Sequence, residues 1–469
     1  MSLPMVVATL ALCLAQLFIG AGLWWCLRRG SQIPLLELLG VGAVLCMILA
    51  VLVHQLVLLL PEGFGFQSAQ WAWMVLLPVV TVLLIARRRH LVPVQGLRGW
   101  DLWAFLITAA IGLLLALPTI LRTQRALAAA DSAGFNADLV FLEALGQSVS
   151  RYGIGDSVFL SGFGMRYHWL TYAWSGQLTN QVQAPAFAVL TAVLPVVLTV
   201  VAATLVVTWA RQLSTVRWVP LLAGVIAVGG AYAGAQQGGV LVYDSPSNGM
   251  GSVVLLAAVL TVSVMFRGQV GWSVLPVAGL LGFASIAAKA SHGAVLTAGV
   301  AAVAIGACWM PAPARWRMWA VSATTAAGAV LAYLVLLTGI AAGTGQIGMS
   351  SGRPHASTWQ GLDPFDGPLG ITLGTAALVL AILPRWFGVF ALMGDRRRWR
   401  QPELPFGIGA AVVGIGALVL LSSGVNDAWF ALAATAVLSV LSAVGIGVLA
   451  ADRGLAFWLT SAAIAVLAG

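Results

Sequence analysis

Charge is what this chain has little of. Only 8% of its 469 residues are Asp, Glu, Lys or Arg, against roughly 25% in an ordinary soluble domain. With 61% hydrophobic residues and a mean hydropathy of +0.99, that scarcity excludes a large water-soluble core and implies a polytopic membrane protein. Lysine is almost missing: Lys289 stands alone among 23 basic residues, the rest being arginine. The four cysteines, Cys13, Cys26, Cys46 and Cys308, fall in or beside apolar runs with no CxxC spacing. Neither a zinc site nor a disulfide framework is supported by that pattern. The net charge of +9 comes from arginines scattered over short loops, not from a basic face of the kind nucleic acid requires. No Ser-His-Asp or HExxH pattern stands out, and no strand context supports a GxGxxG site among the 53 glycines.

What is present is apolar helix. Fourteen segments read as spans, near 3–27, 35–60, 70–86, 101–121, 185–210, 218–235, 250–266, 273–288, 291–310, 318–342, 368–384, 405–421, 428–450 and 455–468. Runs of this length must satisfy their own backbone in lipid, which leaves helix as the assignment. The expected fold class is therefore all-α, a polytopic transmembrane bundle of about 14 helices. The first run lacks a basic lead-in and is long enough to span, so it reads as a span and not a cleaved signal. Residues 1–97 read as a three-helix addition to a core over 98–469.

Arginines give an orientation, since cytoplasmic loops collect basic residues. With the N-terminus outside, 17 basic residues fall in inner loops and 6 in outer ones. Acids divide the other way, with 9 of 14 outside, which topology does not explain and an acid-using outer site would. Tryptophans such as Trp24, Trp71, Trp100, Trp316 and Trp429 sit near helix ends and read as an aromatic belt.

The segment 122–184 reads as a large outer loop. Within it, DLVFLEALGQSVSR has helical periodicity. Phe141, Leu142, Leu145 and Val149 share one face, and Glu143, Gln147, Ser150 and Arg151 the other, as in a helix lying at the membrane surface. Asp138 falls on the apolar stripe, which fits either a first-turn cap or a carboxylate held for proton transfer. Asp131 sits in a Gly- and Ser-bearing turn and is either turn chemistry or a second acid. Arg166-Tyr167-His168-Trp169 is either an interfacial belt with a structural histidine or part of a site. Asp244 and Asn248 lie in YDSPSNG, a strong turn former that also carries an acid and an amide. Lys289 and His292 flank a tight outer hairpin, where a cation would either snorkel or meet a phosphate.

These stretches, NADLVFLEALGQSV, FLSGFGMRYHWLTYAW, YDSPSNGMG, KASHG and SGVNDAWFALAA, together resemble the GT-C superfamily of integral membrane glycosyltransferases over about residues 98–450. The resemblance implies a helical bundle whose first large outer loop covers a polyprenyl-phosphate sugar. It implies catalysis by a loop acid, with Asp138 in that role, Asp131 as its companion, and Phe141 matching the family's Phe. Leu142 stands where the family has a histidine. Glu143, Arg166, Tyr167, His168, Asp244, Asn248, Lys289 and His292 become the expected substrate-binding set. The acceptor would be a cell-envelope glycan or lipid at the bacterial plasma membrane, within an envelope protein complex. No cofactor is implied, no metal ligands are assigned, and a divalent metal is left open. A transporter or flippase for lipid-linked sugars, or an inactive scaffold, is the alternative.

Overall fold

The computed structural model describes residues 3–30, 32–60, 66–88, 91–97, 99–128, 138–154, 167–229, 241, 245–337, 348–349, 386–395, 397–422 and 428–451. They form an all-α polytopic bundle. Among the described residues, nine helices are long and apolar enough to cross a membrane, and three shorter apolar ones accompany them. These twelve match twelve of the fourteen expected segments; 368–384 and 455–468 lie outside the described residues.

In chain order the helices are α1 (Leu3–Leu27), α2 (Leu35–Leu58), α3 (Phe66–Arg87), α4 (Gly99–Ala128), α5 (Asp138–Tyr152) and α6 (Leu170–Val182). There follow α7 (Ala186–Leu213), α8 (Val219–Gly229), α9 (Pro246–Phe266), α10 (Leu275–Ala288), α11 (Ala290–Gly306), α12 (Ala312–Leu336), α13 (Glu403–Leu420) and α14 (Ala428–Ala451). Helix α9 is the axis. It is apolar on all sides, every residue of it is buried, and it packs against α2, α6, α7, α10, α11, α12 and α14. A helix hydrophobic all round has no face to give to solvent, so it belongs at the centre. Helices α3, α4 and α12 lie outside and present side chains such as Leu83, Leu114 and Leu334 outward, the surface lipid would cover. Helices α1–α3 share one continuous core with the rest, in which Trp24 and Val51 join Val259 and Val437.

The end of the bundle rich in arginine is tied together by polar contacts. Strand residues Ile33 and Pro34 pair in parallel with Val94 and Gln95. Arg28 bridges to Val270, and the N–H of Arg29 donates to the carbonyl of Gln269 at 2.9 Å. The described parts of these loops, 28–30, 32–34, 91–97 and 267–271, all expected on one side, do meet at one end.

Two sequence expectations fail here. The stretch 170–182, read as part of a long loop, is the helix α6. Twelve of its thirteen residues, Leu170 to Gln181, are buried. Its amides hid it: Gln177 and Gln181 donate to the carbonyl of Gln70, and Asn180 donates to Ser150 at 2.7 Å. Secondly, α5 does turn its apolar face, Leu142, Leu145 and Val149, inward, but that face packs on another helix, and burial reaches further round it than the periodicity implied. It packs on α6 through Gly146 and Gly176, where a Cβ on Gly176 would collide with the Gly146 carbonyl. Ser150, expected on the polar face, is therefore fully buried.

Candidate functional site

Four helices begin at the other end of the bundle, around Lys289. Ser245 precedes α9, and Pro246 stands in its first turn, the position where a missing N–H costs nothing. Lys289 is extended and separates α10 from α11. Trp169 precedes α6, and Trp429 lies in the first turn of α14. The leading N–H groups of a helix have no intrahelical partner and give that terminus a partial positive charge. Four such termini beside a buried amine make this end suited to an anion.

The Lys289 side chain is 8% exposed. Its Nζ donates to Ser245 Oγ at 3.3 Å and Ser247 Oγ at 3.4 Å, and lies 3.7 Å from the centre of the Trp429 ring. Burial pushes the amine down from 10.5 to about 7. His292 is fully buried in α11, with Nε2 3.1 Å from Ser252 Oγ and Nδ1 3.3 Å from Ser291 Oγ. Gly251 leaves room for that ring, since a Cβ there would come within 2.8 Å of it.

Aromatic rings connect this cluster to α5. Tyr167 stacks on His168 at 3.9 Å and meets Phe141 edge-on at 5.8 Å. His168 keeps an open edge but is surrounded by protein at longer range; burial, then the nearby Lys289 and His292, push it well below the usual histidine range. The Tyr172 hydroxyl hydrogen-bonds with Ser247 and with Tyr167. Burial raises Tyr167 to about 12, the charge of Asp138 adds to that rise, and the bond with Tyr172 opposes it. A line of hydroxyls thus runs from Lys289 through Ser247 and Tyr172 to Tyr167, with Asp138 beyond.

The expected set therefore divides. Tyr167, His168, Asn248, Lys289 and His292 come together, and Asp138 stands close enough to act on both tyrosines. Asp131, Arg166 and Asp244 lie outside the described residues. Asp138 is the first residue of α5 and is exposed, which fits the first-turn alternative and not a half-buried carboxylate. Glu143, expected to face water, is half-buried and accepts from the N–H of Phe187; burial raises it and that bond opposes the rise. Leu142 is buried and offers no polar group. Trp24 and Trp429, read as belt anchors, are corrected: Trp24 is fully buried and donates to Glu37, and Trp429 faces Lys289.

The sequence reading missed Tyr172, Ser245, Ser247, Ser252 and Trp429. Tyr172 follows His168 by four residues, a spacing that puts the two near each other once 170–182 is read as helix. Among the described residues no three His, Cys, Asp or Glu side chains gather as metal ligands. A cavity of about 300 Å³ opens at the arginine end instead, lined by Leu36, Gln95, Asp101, Arg211 and Gln212 among others; its charges, Asp101 and Arg211, satisfy each other. No protein-family model matches this chain, and no curated protein or solved structure gives a match.

Proposed function

We propose that this chain is a membrane glycosyltransferase that moves a sugar from a polyprenyl-phosphate donor to a hydroxyl of a cell-envelope acceptor. The observation that carries the reading is the buried Lys289, set among hydroxyls and helix N-termini, with no carboxylate against it among the described residues. It agrees with the resemblance to GT-C enzymes, and the division of arginines supports putting this end at the outer face of a bacterial plasma membrane. The acceptor hydroxyl attacks the anomeric carbon, the carbon–phosphate oxygen bond breaks, and the charge growing on the leaving phosphate is held by Lys289 and the helix termini. Asp138, open to the acceptor side and close to Tyr167, takes the proton. An envelope complex would present the acceptor.

A second reading, a carrier for lipid-linked sugars, draws on a different feature. Between α1–α3 and α6 lie buried polar atoms with no partner among the described residues, including Gln16 Nε2, Trp73 Nε1, Gln177 Oε1 and Gln181 Oε1. Polar groups inside a bundle often mark a substrate path. The test places the purified chain in vesicles containing a polyprenyl-phosphate sugar and a hydroxyl acceptor. The transferase reading expects free polyprenyl phosphate and glycosylated acceptor. Intact donor moved between leaflets, with none consumed, would replace it with the carrier.

A further inference from the structure

Among the described residues, the groups touching Lys289 are all neutral ones. Its amine meets two serine hydroxyls and one indole face. The titratable groups around it are rings: His168 ahead of α6, Tyr172 within α6 and, through it, Tyr167, and His292 in the first turn of α11. The charge of Asp138 is felt at Tyr167 and Tyr172, and no carboxylate among the described residues reaches the amine. Asp244 and Asp427, next in sequence to Ser245 and Ala428, lie outside those residues. The contrast with Arg28 is direct: that cation, equally buried, has the Glu37 carboxylate at 2.5 Å.

A buried cation without an anion is held against the cost of leaving water. On the reading above, that this end meets a lipid phosphate, we propose that anion binding is proton-coupled: on the alkaline side of its midpoint Lys289 is a neutral amine in the free protein, and it takes up a proton from solvent when a phosphodiester enters. The arriving phosphate supplies the missing counter-charge, and the ammonium then donates to its oxygens. Ser247, Tyr172 and Tyr167 offer the proton a hydroxyl path between the amine and the surface by Asp138. The lowering of the amine by burial agrees with this, while the Trp429 face, which attracts the charged form, opposes it. A sugar-linked lipid phosphate is a diester with one fixed charge, so the pH dependence of its binding reports the protein. Affinity falls about tenfold for each pH unit between the free and the bound midpoints, because each unit leaves about one tenth as much of the protonated form.

Lys289 is the single lysine in the chain, so protein carrying ¹³Cε-lysine gives one side-chain signal, and its shift with pH gives the midpoint directly. The probe is dihexyl phosphate, added to the detergent-solubilised full chain, with Lys289→Met confirming the assignment. We expect a midpoint near 7 in the free protein, raised by more than about one unit when the phosphodiester is bound. A midpoint near the ordinary 10.5 in the free protein would overturn the coupling, by showing a charged amine held by Asp244 or Asp427; it would leave the lipid-phosphate reading standing if dihexyl phosphate still bound. A midpoint near 7 that saturating dihexyl phosphate leaves unmoved would overturn both.

Discussion

At the arginine end, cations that pack inward meet carboxylates. Arg28 makes a two-pronged pair with Glu37, at 2.5 and 3.0 Å, and Glu37 also accepts from Trp24 and Gln212. Arg211 pairs with Asp101 at 2.6 Å and Arg267 with Glu403 at 2.5 Å. At the lysine end, Lys289 meets hydroxyls and a ring. A charge whose bonding capacity is filled by its own protein is a lock between helices. A charge left with neutral neighbours keeps capacity for something else. The difference separates the end that holds the bundle together from the end that has room for chemistry, and it separates them by partner type, not by amount of charge.

The comparison breaks most readily at Glu37. Glu37→Gln leaves the Arg28 guanidinium buried without a counter-charge, and breaking a buried pair costs about 3–5 kcal/mol. We expect a large fall in the thermal midpoint in detergent and loss of most folded protein on size exclusion. A midpoint equal to wild type would mean that the arginine end is no lock. The next effect is on chemistry. Asp138→Asn retains a capping side chain but cannot accept a proton. Sugar transfer should drop by about 10²–10⁴-fold with the fold intact; undiminished transfer would move the base elsewhere.

The effect that is smallest at any one pH step sharpens the contrast. Lys289 titrates near 10.5 when unfolded and about 7 when folded, so between these values the unfolded chain binds a proton that the folded chain does not. Stability therefore rises with pH through that window. The cost of burying the charge is full below about 7 and gone above 10.5. The slope is at most about 1.4 kcal/mol per pH unit. Lys289→Met should flatten it, read as thermal midpoints across pH. An unchanged slope in that variant would assign it to another group.

The apolar runs made most of the bundle legible, since a stretch such as 35–58 can be little else in lipid. Helix α6 was not legible, because Gln177, Asn180 and Gln181 look like loop residues until Gln70 and Ser150 are known to lie beside them. Periodicity gave α5 its helix but not its partner, so Ser150 was placed outside although it packs against Asn180 of α6, and the two readings of Asp138 stayed open until it was found exposed at the first residue of the helix. Within the site, Lys289 and His292 were visible because a lone lysine at a hairpin is rare. Tyr172, Ser247 and Trp429 were not, since each becomes a neighbour of Lys289 only when α6, α9 and α14 converge. No local pattern encodes that convergence.

The most direct test of the division between the two ends is photocrosslinking with a polyprenyl phosphate that carries its reactive group beside the phosphate. Peptide mapping should place the adducts on 167–182, 245–252 and 286–296, around Lys289, and free polyprenyl phosphate should compete them away. Adducts confined to 95–101 and 207–215, at the cavity beside Arg211, would put the lipid phosphate at the arginine end and contradict the account.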